Sequence, residues 1–176
     1  MKKSKKIILS AMLLALVIIL SRFVSIETQF LVISLDFIPI MICAILLGPK
    51  YSTLIAVLGD LIGAILFPFG SYFPGFTVSA GIRGLIYGLL LYNKSDKEFS
   101  NFNFLIRLII SSVLVLGVVN IFITSFWLNM LYGKAYFAIV ATRVTTQVIM
   151  LPIQIITVFS LNKFIKPVAN KYLLDS

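Results

Sequence analysis

Residues Gly59 to Gly84 read GDLIGAILFPFGSYFPGFTVSAGIRG. Two apolar arms, each carrying one charge (Asp60 and Arg83), flank a loop built from Pro68, Phe69, Gly70, Tyr72, Phe73, Pro74, Gly75 and Phe76. The prolines and glycines break helices, so the arms read as two helices joined by an aromatic turn. An aspartate and an arginine in arms this apolar are either a structural ion pair or parts of a binding site. The rest of the chain decides between the two.

The surrounding sequence is as apolar as the arms. Of 176 residues, 60% are hydrophobic and 12% charged, with a mean hydropathy of +1.09. Soluble domains hold about twice that share of charge, so composition places the chain in a membrane. The net charge of +9 does not point to nucleic acid, because the lysines sit at the ends of apolar runs, where they orient a protein in a bilayer. One cysteine, Cys43, excludes an intramolecular disulfide and a cysteine cluster for zinc. The absence of histidine removes a Ser-His-Asp triad, an H-E-x-x-H metalloprotease motif and haem ligation by histidine. The lysine-rich start followed by an apolar run resembles a signal peptide but lacks a clean cleavage site, and reads as a retained first helix.

About 20 apolar residues span a bilayer as a helix. On that measure the sequence predicts six helices in one domain, 1–176: an all-α membrane bundle. They run from Ile7 to Val24, Leu35 to Leu47, Tyr51 to Phe67, Thr77 to Tyr92, Phe102 to Met130 and Tyr136 to Phe164. The second ends at Gly48-Pro49 and is short. Pro152 falls inside the sixth and is expected to kink it. With the N-terminus inside, one face collects Lys2, Lys3, Lys5, Lys6, Lys50, Lys94, Lys97, Lys163, Lys166 and Lys171, while the outer loops hold Lys134. The positive-inside rule therefore puts both termini in the cytoplasm.

Orientation gives each buried charge a depth. Asp60 and Arg143 lie about 10 Å below the outer ends of their helices, and Arg83 about 9 Å below. Arg22 and Asp36 lie near the outer ends of the first and second helices. Asn120 and Trp127, two turns apart, share a face of the fifth helix, and Gln147 shares the face of Arg143. The inner half holds few polar groups. Charges at such depth face a bundle interior or a wet cavity, because lipid exposure costs about 3 kcal/mol each. Three arginines against two aspartates leave room for an anionic ligand, which guanidinium grips bidentately. Asp60 suits the N–H donors of a heterocycle, and Trp127, Phe67, Phe73, Phe76 and Tyr72 offer flat faces for stacking. The loop 68–77 reads as a lid above Asp60 and Arg83, with Thr77 capping the fourth helix. Gly59/Gly63 and Gly84/Gly88 are spaced for close helix packing, whereas Ala11/Ala15 on the first helix suit either packing or external docking.

The strings LLGPKYS, GDLIGAILFPFG and YFPGFTVSAGIRGLIYG, with the Arg143/Gln147 helix, resemble the substrate-binding S components of energy-coupling factor (ECF) vitamin transporters, the folate-specific ones above all. The resemblance spans the chain. It implies a vitamin bound near the outer face of the plasma membrane, under loops 25–35 and 68–77. It also implies a membrane scaffold subunit and two ATPase partners, with tilting of the S component delivering the ligand. Ala11 and Ala15 match the family's scaffold-contacting alanines. The chain carries no G-x-x-x-x-G-K-[ST] loop, so ATP hydrolysis falls to partners and the chain is not expected to be an enzyme. Folate is the implied ligand, with no metal or cofactor. Its expected contacts are Arg22 for the glutamate tail and Asp60 and Arg143 near the pterin. Phe67, Phe73, Phe76, Thr77, Arg83, Asn120, Trp127 and Gln147 complete the set. The alternatives are an S component for another vitamin, such as riboflavin, and an intramembrane enzyme.

Overall fold

The structure is a computed structural model that describes residues 3–27, 32–68, 72–92, 101–133 and 136–169. Helix α1 (Lys3–Arg22) leads into a short antiparallel pairing of β1 (Ile26–Glu27) with β2 (Val32–Ile33). Then follow α2 (Phe37–Leu47), α3 (Pro49–Leu66), α4 (Pro74–Leu91) and a continuous rod of α5 (Asn101–Leu114), a π-helical stretch (Val115–Ile123) and α6 (Thr124–Tyr132). Helix α7 (Tyr136–Ala169) completes the order and continues on both sides of Pro152. Among the described residues, five helical spans are long and apolar enough to cross a membrane, and α2 is a shorter apolar helix.

The six rods fall where the apolar runs predict, but their ends shift for local reasons. Helix α1 starts back at Lys3, because lysine is a good helix former. Helix α3 starts at Pro49 and α4 at Pro74, since proline's fixed φ suits the first helical position. Thr77 therefore lies inside the first turns of α4 and is not its cap; Phe73 holds that position. The predicted loop 25–35 contains the small hairpin, with residues 28–31 outside the described part, as are residues 69–71 of the loop 68–77.

Helix α2 spans about 16 Å at 11 residues, well short of a bilayer's ~30 Å core. It is tolerated because it lies in the middle of the bundle, against α1, α3, α4 and α7. Met41, Cys43 and Ala44 are fully buried there. Gly48 ends the helix at φ 84°, a conformation that favours glycine, and hands the chain directly to Pro49.

Helices α3 and α4 form the closest pair. A Cβ on Gly84 would sit 2.5 Å from the Ser52 carbonyl oxygen, and one on Gly88 would sit 2.2 Å from Pro49 Cα. Backbone approach this near needs glycine, and it allows Ser52 Oγ to donate to the Gly84 carbonyl at 2.8 Å. Gly59 makes room for a side chain instead: a Cβ there would sit 2.5 Å from Val17 Cγ1 of α1. The glycine pairs are internal packing, whereas Ala11 and Ala15 lie exposed on α1. The outer surface is largely apolar, with Ile65, Val78, Phe122 and Val148 among many exposed side chains, while Arg143, Gln147 and Gln154 turn inward. That inversion of a soluble fold is what a lipid environment selects.

Candidate functional site

The inward polar groups surround a cavity of about 470 Å³, within the range of small-molecule sites. Every rod contributes. Helix α1 supplies Val17, Ser21 and Arg22; the approach to α2 and its first turn supply Ser34, Asp36, Phe37 and Ile40. Ala56, Asp60 and Ala64 come from α3, and Phe76, Ser79, Arg83 and Tyr87 from α4, with Pro68 and Tyr72 between them. Arg143, Gln147, Met150 and Gln154 recur on one face of α7 at helical spacing.

The fifth rod contributes Leu116, Asn120, Thr124, Leu128 and Tyr132, four residues apart throughout. In a plain α-helix each such step advances about 40° around the axis, so the row would spiral off the wall. The π-helical stretch removes the drift, because its wider turn holds more than four residues. Both the backbone N–H and Oγ1 of Thr124 bond Val119 O, five residues back. The same winding separates Asn120 from Trp127, which the sequence places on one face.

Of the residues expected from sequence, Arg22, Asp60, Phe76, Arg83, Asn120, Arg143 and Gln147 line the cavity, and Phe67, Phe73, Thr77 and Trp127 do not. Phe67 is exposed and packs edge-on against Phe23, ring centroids 5.1 Å apart. Trp127 lies over Gly75, donates from Nε1 to Ser79 Oγ at 3.1 Å and sits 5.6 Å from the Phe73 ring. These aromatics clamp the start of α4. Thr77 stands behind the cavity wall and donates from Oγ1 to Asp60 Oδ2 at 2.6 Å, while Tyr72 Oη lies 2.9 Å from the same Oγ1. Since the threonine hydroxyl spends its proton on Asp60, the tyrosine is the donor to Thr77.

Arg83 does not pair with Asp60. Its Nη1 lies 3.5 Å from Asp36 Oδ2. Arg143, 7% exposed, donates from Nη1 to the Asn120 carbonyl at 3.1 Å, while its Nε has no partner among the described residues. Asn120 Nδ2 in turn donates to Gln147 Oε1 at 3.2 Å. Three arginines and two aspartates thus share one cavity, with a surplus of positive charge.

Sequence reasoning gave Asp36 a depth but no role, and missed Ser21, Ser34, Tyr87, Thr124, Tyr132 and Gln154. Two of these were within reach. Tyr87 follows Arg83 by four residues, and Gln154 follows Gln147 by seven, both helical repeats of residues already singled out.

Residues 5–162 match the family model of the ECF transporter substrate-specific component. The chain is 33% identical over 165 residues to the folate transporter FolT of Clostridium novyi (strain NT), covering 94% of this chain and 92% of that one. It is 38% identical over 165 residues to the folate transporter FolT of Leuconostoc mesenteroides subsp. mesenteroides, covering 90% and 85%. A crystal structure of FolT bound with folic acid superposes with a TM-score of 0.80 at 38% identity, covering 90% of this chain and 93% of that chain. The chain belongs to the family of substrate-specific S components of ECF transporters.

Proposed function

We propose that the protein is the folate-binding S component of an ECF importer in the plasma membrane. The observation that carries this reading is the cavity in which Arg22, Arg83 and Arg143 outnumber Asp36 and Asp60. Folate joins an anionic glutamate to a flat, hydrogen-bonding heterocycle, and the cavity offers guanidinium for the one and carboxylate, amide and ring faces for the other. Likeness to a FolT that binds folic acid supports the choice of vitamin.

The whole chain, 1–176, acts as one S-component domain with both termini cytoplasmic, which puts Arg22 and the small hairpin at the outer face. The ligand enters from outside beneath loops 25–35 and 68–77. Arg22 takes the glutamate tail, Arg143 with Asn120 and Gln147 holds the middle of the ligand, and Asp60 accepts from its N–H groups. Phe76 supplies a ring face from α4. Arg83 acts with Asp36 as a charged pair in the wall. Phe67, Phe73 and Trp127 act on the loop and the start of α4, and Thr77 acts through Asp60. The exposed Ala11 and Ala15 let a transmembrane scaffold subunit approach α1 closely, and two ATPase partners drive the tilting that delivers folate.

A competition experiment tests the vitamin assignment. Radiolabelled folic acid bound to purified protein should be displaced by unlabelled folic acid and not by riboflavin or thiamine. Displacement by riboflavin at equal concentration would transfer the assignment to another vitamin; the surplus of arginine already disfavours cationic thiamine.

A further inference from the structure

Gly63 is buried in the last turn of α3, three residues after Asp60 and next to Ala64 of the cavity wall. Its spacing from Gly59 suggests helix packing, but its neighbour differs in kind from those of Gly84 and Gly88. The atoms nearest those two are backbone atoms of α3. A Cβ on Gly63 would instead meet the guanidinium of Arg22, 2.7 Å from Nε, 3.2 Å from Nη2 and 3.4 Å from Cζ. Beyond the adjoining backbone of α3, these are the three nearest atoms, so every other group stands at 3.4 Å or more. The arginine head occupies the place a side chain would take.

The surroundings hold it there. Val17 meets Gly59 and Arg22 meets Gly63, so α1 and α3 run in the same direction and end at the same level. The guanidinium therefore lies where two helix C-termini present partial negative charge. Just beyond, Phe23 packs edge-on against Phe67 and ties the two helix ends together. Phe67 N–H closes the last turn of α3 on the Gly63 carbonyl at 2.9 Å. With the ends tied, the arginine head is the part that yields to a new side chain. Ordinary contact at 3.4 Å would require Nε to retreat by about 0.7 Å. That retreat is cheap for the fold, because the far end of an arginine is flexible. It is costly for a bound carboxylate, because the planar fork serves both oxygens only from one position.

We propose that Gly63 is a positioning residue for ligand binding: its missing side chain seats the Arg22 guanidinium where it grips the acidic end of the ligand. The proposal rests on the folate reading above, in which Arg22 lines the cavity and takes the glutamate tail. It adds a residue outside the cavity lining that sets the preference for that tail.

The test compares folic acid with pteroic acid, which lacks the glutamate. Wild-type protein should prefer folic acid. Gly63→Ala should weaken folic acid binding about tenfold, the worth of one charge-assisted bond of a bidentate pair, and change pteroic acid binding far less. In an Arg22→Ala background the same substitution should cost neither ligand anything further, since the group it displaces is gone. Equal weakening of both ligands, or the same loss with and without Arg22, overturns the seat and leaves Gly63 a packing residue. If Gly63→Ala does not fold, the double variant carries the test: it should fold, and its failure where Arg22→Ala alone folds overturns the seat as well. Wild-type protein that binds the two ligands equally overturns the tail assignment of Arg22 and the proposal with it. Failure of wild-type protein to bind either ligand overturns the folate reading itself.

Discussion

Gly84→Ala tests the packing of α3 against α4, two walls of the cavity. Its new Cβ would lie 2.5 Å from Ser52 O and 2.8 Å from Thr53 Cα, where ordinary contact begins at 3.4 Å, so α3 and α4 must part by about 0.9 Å. Both obstacles are backbone, so no rotamer change relieves them. Overpacking of this kind costs about 1–3 kcal/mol. Parting the helices also lengthens the 2.8 Å bond from Ser52 Oγ to the Gly84 carbonyl, worth about 1 kcal/mol. Alanine's better helix propensity returns about 1 kcal/mol. The net expectation is a loss of about 1–3 kcal/mol. Because Arg83 adjoins Gly84 and Asp60 stands on the facing helix, folic acid affinity should fall as well. The control is Gly117→Ala, whose Cβ meets nothing within 4 Å; it should be neutral or slightly stabilising. Unfolding of the two variants in the same detergent, followed by circular dichroism, gives the comparison. Equal stability of Gly84→Ala and Gly117→Ala, with unchanged affinity in both, would refute the close-packing argument.

Three further outcomes follow from the site. Thr77→Val removes the donor to Asp60 and should weaken folic acid binding, whereas Thr77→Ser keeps the hydroxyl and should bind nearly as wild type; equal loss in both would point to the methyl group instead. Trp127→Phe loses the bond to Ser79, which should cost about 1 kcal/mol of stability while leaving equilibrium affinity within a few-fold, since the ring lies outside the cavity. A large affinity loss without destabilisation would return Trp127 to the ligand contacts. Ala11→Trp should leave folic acid binding intact and abolish co-purification with the scaffold subunit and uptake by cells; unchanged uptake would remove α1's exposed alanines from the docking surface.

Much of this arrangement is legible from the residues, for physical reasons that also mark where legibility stops. Bilayer thickness fixes helix length, so uninterrupted apolar runs reveal the rods. A charge within such a run must turn inward, which exposes Asp60, Arg83 and Arg143. Trp127 shows the limit. Assigning it to the face of Asn120 assumes 3.6 residues per turn, and the sequence VLGVVNIFI gives no local sign of the wider π winding between them. Thr77 reads as a cap in sequence because threonine favours that position, but Pro74 starts the helix a turn earlier. The pairing of Arg83 with Asp36 and not Asp60 depends on where α2 lies against α4, a tertiary matter that helix depth alone does not resolve. Gln154 needed only two more turns along the face of Arg143 and Gln147.

The central claim is that folate occupies the arginine-lined cavity, and an equilibrium titration of folic acid into purified wild-type protein and Arg143→Ala tests it most directly. The account predicts saturable one-to-one binding by the wild type and at least about 30-fold weaker binding by the variant, the lower bound for losing a buried charged contact. Absence of wild-type binding, or equal affinity in the two proteins, would contradict it.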